Sequence, residues 1–333
     1  MTTLSAAPSR RSRPAELNVL FGLIAICLVF EVMGWLFIGQ SFLINLQRLR
    51  IIILQVSIVG IIAVGVTQVI ITGGIDLSSG SVVGATAMIA MSLAQISTGA
   101  APVYPSLTDL PVIVPLMVGL ALGALAGVIN GSLVAYTKIP PFIATLGMMV
   151  TARGAAKWYT NGKPVSFPTE AYATIGASLN PVILFAIVAL LFHLALKYTV
   201  YGKHTYAIGS NVEAARISGI KVEKHLVLVY AIAGLLAGLA AIVLSSKNLT
   251  AQSGMGVMYE LDAIAMAVIG GVSLSGGRGS IIGTVLGAMI FGVIISGFTF
   301  LRIDAYYQEM IKGVIIVSAV VADVARQRKR GRA

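Results

Sequence analysis

Charged residues are scarce in this sequence, at 11% of its 333 residues, whereas hydrophobic residues make up 57%. A soluble domain carries roughly 25% charged residues, because charged side chains cover much of a surface that faces water. So low a content excludes an ordinary soluble domain. Most of the chain is therefore predicted to lie in lipid.

Cysteine and histidine are nearly absent, with one cysteine, Cys27, and three histidines that lie far apart in the chain. A single cysteine excludes a disulfide framework, and scattered histidines lack the spacing of a metal site. The glycine-rich stretch GGVSLSGGRGS lacks the lysine and hydroxyl with which a P-loop binds phosphate and magnesium. We therefore predict no metal or other cofactor, no ATP site in this chain and no enzymatic activity of its own.

Long apolar runs fill most of the sequence. A spanning helix needs about 20 mostly apolar residues, and the runs predict an all-α integral membrane protein, a polytopic helical bundle of about ten spans (8 to 10). The third, fifth and eighth runs are short, which is typical of broken or re-entrant helices. The predicted spans lie near 17–38, 51–71, 82–96, 112–136, 140–158, 181–198, 226–246, 260–274, 281–300 and 308–325.

Basic residues give the chain a net charge of +11, and they fall in short clusters between and after the apolar runs. This distribution sets membrane orientation and does not indicate nucleic-acid binding. With ten spans, both termini are predicted to be cytoplasmic. The predicted regions are a basic cytoplasmic tail at 1–16, a transmembrane region at 17–325 with a polar cytoplasmic loop at 201–225, and a basic cytoplasmic tail at 326–333.

Two glycine-rich segments resemble each other: GGIDLSSGSVVG at 73–84 and GGVSLSGGRGSIIG at 270–283. Membrane transporters are often built from repeated halves, so the pair indicates an internal repeat. Ten complete spans would put both segments on one side and make the repeats parallel. A re-entrant short segment would make them inverted, and the sequence leaves both arrangements open.

The fourth run carries four glycines at intervals of four residues, Gly119, Gly123, Gly127 and Gly131. Small residues let membrane helices approach closely, so another helix is predicted to pack on this ridge. Asn130 lies beside it, at membrane depth. The pattern favours an interhelical hydrogen bond for its amide, and the alternative is a hydrogen bond to a translocated hydroxyl.

Acidic residues begin two of the short runs. Asp76 is followed by three serines and is predicted to cap a helix start, with lining of a transport pathway as the alternative. Glu260 and Asp262 begin the eighth run, where the helix dipole favours carboxylates. The alternatives are that they dock a soluble protein on the external side or line a transport pathway.

The loop at 201–225 contains EAARISGI, which is predicted to form a short surface helix that presents Glu213 and Arg216. Binding to lipid headgroups alone is one interpretation. Contact with a cytoplasmic partner is the favoured one.

Four segments together resemble the bacterial ABC sugar permeases of the ribose, xylose, arabinose and galactose type. They are GGIDLSSGS, INGSLVAYTKIPPFIATLG, YAIGSNVEAARISGI and YELDAIAMAVIGGVSLSGGRGSIIGT. The similarity covers about residues 45–325 in order. The stretch RGAAKWYTNGKPVSFP is similar to members assigned to inositol or to pentoses.

This resemblance implies a homodimeric permease of the inner membrane, a cytoplasmic ABC ATPase and a periplasmic sugar-binding protein. By analogy, Glu213, Ala214, Ala215, Arg216 and Gly219 would be seated in a groove of the ATPase. A neutral sugar or polyol would meet polar and aromatic groups along the pathway. The candidates for that role are Asp76, Asn130, Phe142, Thr145 and Ser273.

The main rival is an ion-coupled or facilitative secondary carrier, and a scaffold subunit without transport activity is a third interpretation. Ion coupling usually requires an ionisable group buried among helices. The acidic candidates lie near span ends, with Glu31 as the exception. This distribution counts against ion coupling.

Overall fold

The computed structural model describes residues 15–330, which are mostly helical. The helices are α1 (Ala15–Met33, continued by a π turn at Gly34–Ile38), α2 (Leu46–Ile71), α3 (Ser79–Ser92), α4 (Ile113–Thr137), α5 (Pro141–Tyr159), α6 (Glu170–Ala173), α7 (Asn180–Tyr198), α8 (Val200–Ser210), α9 (Val212–Ile217), α10 (Val222–Asn248), α11 (Tyr259–Ile269), α12 (Ile281–Phe300) and α13 (Ala305–Arg330). Short 3-10 turns lie at Pro105–Leu107 and Thr174–Gly176. The strands β1 (Val165–Ser166) and β2 (Thr250–Ala251) form an antiparallel pair.

Within the described residues, six helices are long and apolar enough to cross a membrane: α1 with its π turn, α2, α4, α7, α10 and α12. The prediction of an α-helical membrane protein is therefore confirmed. Two of the three predicted short spans correspond to α3 and α11, which have 14 and 11 residues, whereas the fifth predicted span corresponds to α5, which has 19 residues. Of the predicted tails, residues 1–14 and 331–333 lie outside the described residues, and 326–330 belong to the backbone of α13.

Two helices form the centre of the bundle, α2 and α10, and most of the apolar stretch of each is buried. Helix α10 packs along α4 and against α3, while α2 packs along α12 and against α11. In turn α3 contacts α5, and α11 contacts α13. The segments α2–α5 and α10–α13 therefore have matching neighbours, with each segment packed on the central helix of the other.

The glycines of α4 lie directly on α10. A Cβ added at Gly123 would overlap the carbonyl oxygen of Gly234 and lie 2.8 Å from the Cα of Gly238, and one at Gly127 would overlap the carbonyl of Tyr230. Gly119 and Gly131 face Ile242 and Val227 of the same helix. The two backbones approach this closely because α4 has no side chain at these four positions and α10 has none at Gly234 and Gly238.

The bundle has two distinct ends. We call one the ribbon side: it holds β1 and β2 together with the segment after α3, where Ile96 N donates to Phe167 O at 3.0 Å. We call the other the α9 side: it holds α8, α9, the end of α2 and the loop 270–280. The start of α1 also lies there, because Ser280 Oγ donates to Glu16 at 2.9 Å.

Helices α3 and α11 meet inside the bundle at their N-terminal ends. An added Cβ at Gly80 would overlap the Glu260 carboxylate and Gly256 O, and one at Gly84 would lie 2.9 Å from Met255 O. Each helix follows a non-helical segment, 73–78 before α3 and 252–258 before α11. We call residues 78–81 and 253–260 the junction. Since α3 runs from it to the ribbon side and α11 runs from it to the α9 side, each is a half-helix.

Candidate functional site

Helix α9 contains the EAARI sequence. Asn211 caps it, because its Oδ1 accepts from Ala214 N at 3.0 Å. The helix ends at Gly219, whose φ of +84° lies in the left-handed region, and Ile220 N then donates to Ala215 O at 3.1 Å. Such a glycine C-cap reverses the chain directly into α10. The result is a short, defined helix on the α9 side.

The outer face of α9 is charged, and its inner face is apolar. Arg216 pairs with Glu223 at 2.6 Å and with Glu213 at 3.3 Å. Ala215 is buried with Ile208 and Val222, while Ala214 is exposed. Beside the helix lies a groove of about 350 Å³ whose charged lining is Lys138, Glu213, Arg216 and Glu223. Exposed ion pairs contribute little stability, so this arrangement is better suited to recognition than to holding the fold.

Helix α8 connects α9 to the membrane core. Tyr201 OH donates to Gln68 Oε1 of α2 at 2.7 Å, and Thr205 Oγ1 is 2.9 Å from His225 Nε2 of α10. Tyr206 OH donates to Gly279 O at 2.8 Å, and burial raises the pKa of this phenol, so it remains a donor at neutral pH.

The same helix also lies against the end of α2. Gly209 packs directly on the carbonyl of Ile71, and Gly277 N donates to that oxygen at 2.8 Å. Helix α8 therefore contacts the end of α2, which precedes α3, and the loop that follows α11.

Three of the predicted pathway residues surround the segment 75–78. Ser78 donates to Asp76 Oδ1 through both N and Oγ, at 2.8 and 2.6 Å. Asn130 Nδ2 donates to Ser78 Oγ at 2.8 Å, and Thr145 Oγ1 lies 3.3 Å from Ile75 O. All three predicted side chains are buried.

The other two pathway candidates lie elsewhere. Phe142 is 50% exposed on the outer face of α5. Ser273 lies in the loop after α11, where its Oγ is 3.4 Å from Asp323 Oδ2 of α13.

Glu260 and Asp262 are buried, at 8% and 7% exposure. Asp262 pairs with Lys312 at 3.3 Å, and Glu260 is directed at Gly80 in the junction. Neither presents a carboxylate to a protein docking from outside in this conformation. The loop before α11 turns into the bundle, so the helix begins among other helices. The docking role of Glu260 and Asp262 stays a prediction.

Arg153 was not among the site residues predicted from the sequence. Its Nη1 donates to Ser253 O at 2.6 Å and to Met255 O at 2.8 Å, and so fixes the loop 252–258 against α5. The available signal was an arginine inside an apolar run, since such residues are rare and usually functional.

Comparison with known proteins places the chain among transport permeases. The profile of the family described as "Branched-chain amino acid transport system / permease component" matches residues 48–320. The ribose import permease protein RbsC of Escherichia coli K12 is 39% identical over 336 residues, covering 98% of this chain and 100% of that protein. RbsC of Bacillus subtilis is 38% identical over 316 residues, covering 92% of each chain.

The galactose/methyl galactoside import permease protein MglC of E. coli K12 is 37% identical over 298 residues, covering 86% of this chain and 89% of that protein. No solved structure gives a significant match.

Proposed function

This chain belongs to the branched-chain amino acid transport system permease family, and from that premise we propose that it is the permease subunit of an ATP-driven importer for a neutral monosaccharide or polyol. The observation that carries the proposal is the match to ribose and galactose import permeases along nearly the whole chain. The substrate class, ribose, xylose, galactose or inositol, is inferred from the ribose and galactose import permeases among the relatives and from the resemblance of the sequence to permeases assigned to pentoses or inositol.

Ten crossings with both termini in the cytoplasm account for the two sides of the bundle. Helices α3 and α11 then act as short crossings, and α5 and α13 complete the count beside the six long apolar helices. Under this arrangement the α9 side is cytoplasmic and the ribbon side is external. The lysines and arginines of the 201–225 loop then follow the positive-inside rule.

The permease role implies two protein partners, an ABC ATPase and a sugar-binding protein. We infer that the ATPase contacts α9 through Glu213, Ala214, Arg216 and the turn at Gly219, because this charged, capped helix lies on the proposed cytoplasmic side. Ala215, which is buried, serves as its packing residue. The binding protein would meet the ribbon side. A second copy of the chain completes the proposed homodimer.

Helix α8 gives this contact a route to the membrane core. A displacement of α9 would move α8, which touches Ile71 at the end of α2 and residues 277–279 after α11. Ile71 precedes the half-helix α3, and residues 277–279 follow the half-helix α11. ATP-driven motion would thereby open the junction toward one side and then the other.

Among the pathway candidates, the grouping around Ser78 supports roles for Asp76, Asn130 and Thr145. Phe142 remains a candidate through its exposed ring, which would face a second copy or the pathway between copies. For Ser273 the pairing with Asp323 favours a role in holding the loop 270–280. The close approach of α4 to α10 supports the packing role of the four glycines.

Reconstitution in liposomes tests the proposal. The permease, its co-purifying ATPase and the binding protein are assayed for ATP hydrolysis and for uptake of D-ribose, D-galactose and myo-inositol. We expect hydrolysis and uptake to rise together, only when all components and one sugar are present. Uptake by the permease alone under a proton or sodium gradient would establish the secondary carrier instead.

A further inference from the structure

The junction gathers buried polar atoms that have no hydrogen-bond partner. Among the described residues, four buried side-chain oxygens lack a partner, and three of them are Ser79 Oγ, Asn130 Oδ1 and Glu260 Oε2. The fourth, Thr169 Oγ1, is on the ribbon side. Native proteins contain few such atoms, because each one costs folding free energy. Their concentration at one place indicates a function.

The three residues lie in or beside the first turn of α3. Ser79 belongs to it, Glu260 lies against the adjacent Gly80, and Asn130 is held by Ser78. Their exposures are 2%, 8% and 1%. Two of the three oxygens can only accept hydrogen bonds, and the serine hydroxyl can accept or donate. Such a set is complementary to a ligand that offers several hydroxyl donors.

The backbone around these residues is also unusual for membrane depth. Non-helical segments inside a bundle are tolerated where they are buried in protein or line a cavity, and transporter sites often lie at broken helices. Here two such segments meet, and one half-helix leads from the meeting point to each side. A ligand at this position would be accessible from either side in turn.

We propose that the junction is a transient binding site for the hydroxyl groups of the transported monosaccharide or polyol, contacted by Ser79, Asn130 and Glu260. The inference rests on the proposed function and adds a site to it. In the present conformation the site is closed, and Arg153 fastens the loop 252–258 over it from α5.

Helix α5 packs on α3 and α4 with one face and is exposed on the other. Gly147 and Gly154 are exposed on this helix, and a Cβ added at either would meet no other atom of this chain within 4 Å. An outward movement of α5 would carry Arg153 away from Ser253 and Met255 and release the loop. Arg153 is therefore a positioning residue that controls access to the site.

The test uses the complete reconstituted complex with saturating, sugar-loaded binding protein. Ser79→Ala and Glu260→Gln each alter an unpartnered oxygen with little change of shape. We expect an unchanged or higher melting temperature for both, with sugar uptake per ATP hydrolysed reduced about tenfold. Thr169→Val is the matched control, because it removes an unpartnered buried oxygen outside the junction. It should leave uptake at the wild-type level.

Deoxy analogues of the transported sugar separate direct contact from a structural effect. If Ser79 contacts a hydroxyl, the wild type should transport the analogue that lacks this hydroxyl more slowly than the parent sugar. The Ser79→Ala variant should transport the analogue and the parent sugar at similar rates. Stable Ser79→Ala and Glu260→Gln variants with wild-type uptake would overturn the site while leaving the importer intact. A wild-type complex that imports no sugar would overturn the importer and the site together.

Discussion

At the residue scale, Gly219 has a conformation that few other residues adopt. Its φ is +84°, and an added Cβ would meet nothing within 4 Å, so the restriction is on the backbone alone. Alanine in this region costs about 1 kcal/mol, whereas asparagine tolerates it. The turn that ends α9 should therefore depend on the residue type at this position in a predictable way.

We predict that Gly219→Ala lowers sugar-stimulated ATP hydrolysis about fivefold, which corresponds to roughly 1 kcal/mol, without preventing membrane insertion. Gly219→Asn should retain most of the stimulation. The measurement is ATPase activity of the reconstituted complex with and without loaded binding protein. Equal effects of the two variants would show that the left-handed turn does not determine coupling.

Glu31, the one acidic residue well inside the first apolar run, acts as a cap for the turn between α1 and α2. Its Oε2 accepts from Ser41 Oγ, Phe42 N and Leu43 N at 3.0, 2.9 and 2.8 Å, and its Oε1 accepts from Trp35 Nε1 at 2.9 Å. A carboxylate that accepts four hydrogen bonds has a structural role. This explains an ionisable residue in the run without ion coupling.

We therefore expect Glu31→Gln to lower the apparent melting temperature by a few degrees, because one of the two carboxylate oxygens is replaced by an amide donor. The uptake rate per folded molecule should equal that of the wild type and should not depend on a proton gradient. The assays are thermal unfolding in detergent and uptake at two external pH values. Loss of transport in a stable variant would reopen a role in coupling.

At the element scale, the long helices could be predicted closely from the sequence. The predicted spans 112–136, 181–198 and 281–300 correspond to α4, α7 and α12 within one residue at each end, because each is a continuous apolar run between polar stretches. The start of α2 was placed five residues late. Asn45 begins that helix by accepting from Arg48 N, so its polar first turn is helical as well.

The half-helices were predicted less well. The span at 82–96 starts three residues after α3, because the serines at its start were taken for a polar boundary although they are buried. The span at 260–274 continues past the end of α11, where Gly271 has a φ of +90°. The junction itself depends on contacts between residues about 175 positions apart, and local patterns carry no information on these.

The glycine contact between α4 and α10 gives a prediction about stability. Gly123→Ala would place a methyl group against the backbone of Gly234 and Gly238, which cannot rotate away. We expect a loss of about 1–3 kcal/mol, seen as a lower melting temperature and a smaller monodisperse fraction in detergent. Gly147→Ala on α5 is the control and should be neutral, because an added Cβ there would meet no other atom of this chain within 4 Å.

At the scale of the whole molecule, the matching neighbours of α2–α5 and α10–α13 favour an inverted repeat. In the proposed ten-span arrangement, five crossings separate the start of α2 from the start of α10, namely α2, α3, α4, α5 and α7, so the two central helices would run in opposite directions. The similar glycine-rich segments at 73–84 and 270–283 nevertheless lie on one side, since Gly277 N bonds to Ile71 O. The first segment leads into α3, whereas the second follows α11. Their similarity in sequence therefore does not mark equivalent positions of the repeat.

This arrangement depends on α3 being a complete crossing, and cysteine labelling tests it. The chain has one cysteine, Cys27, so Cys27→Ser gives a background without thiols. Gln40→Cys before α2 and Ser106→Cys after α3 are exposed, and Ser218→Cys is exposed beside α9. Because α2 and α3 are the two crossings between residues 40 and 106, a membrane-impermeant maleimide should label both Gln40→Cys and Ser106→Cys in intact cells, and it should label Ser218→Cys only in inside-out vesicles. Labelling of Gln40→Cys and Ser106→Cys from opposite sides would mean that α3 does not complete a crossing, and neither the inverted repeat nor a site open to each side in turn would survive that result.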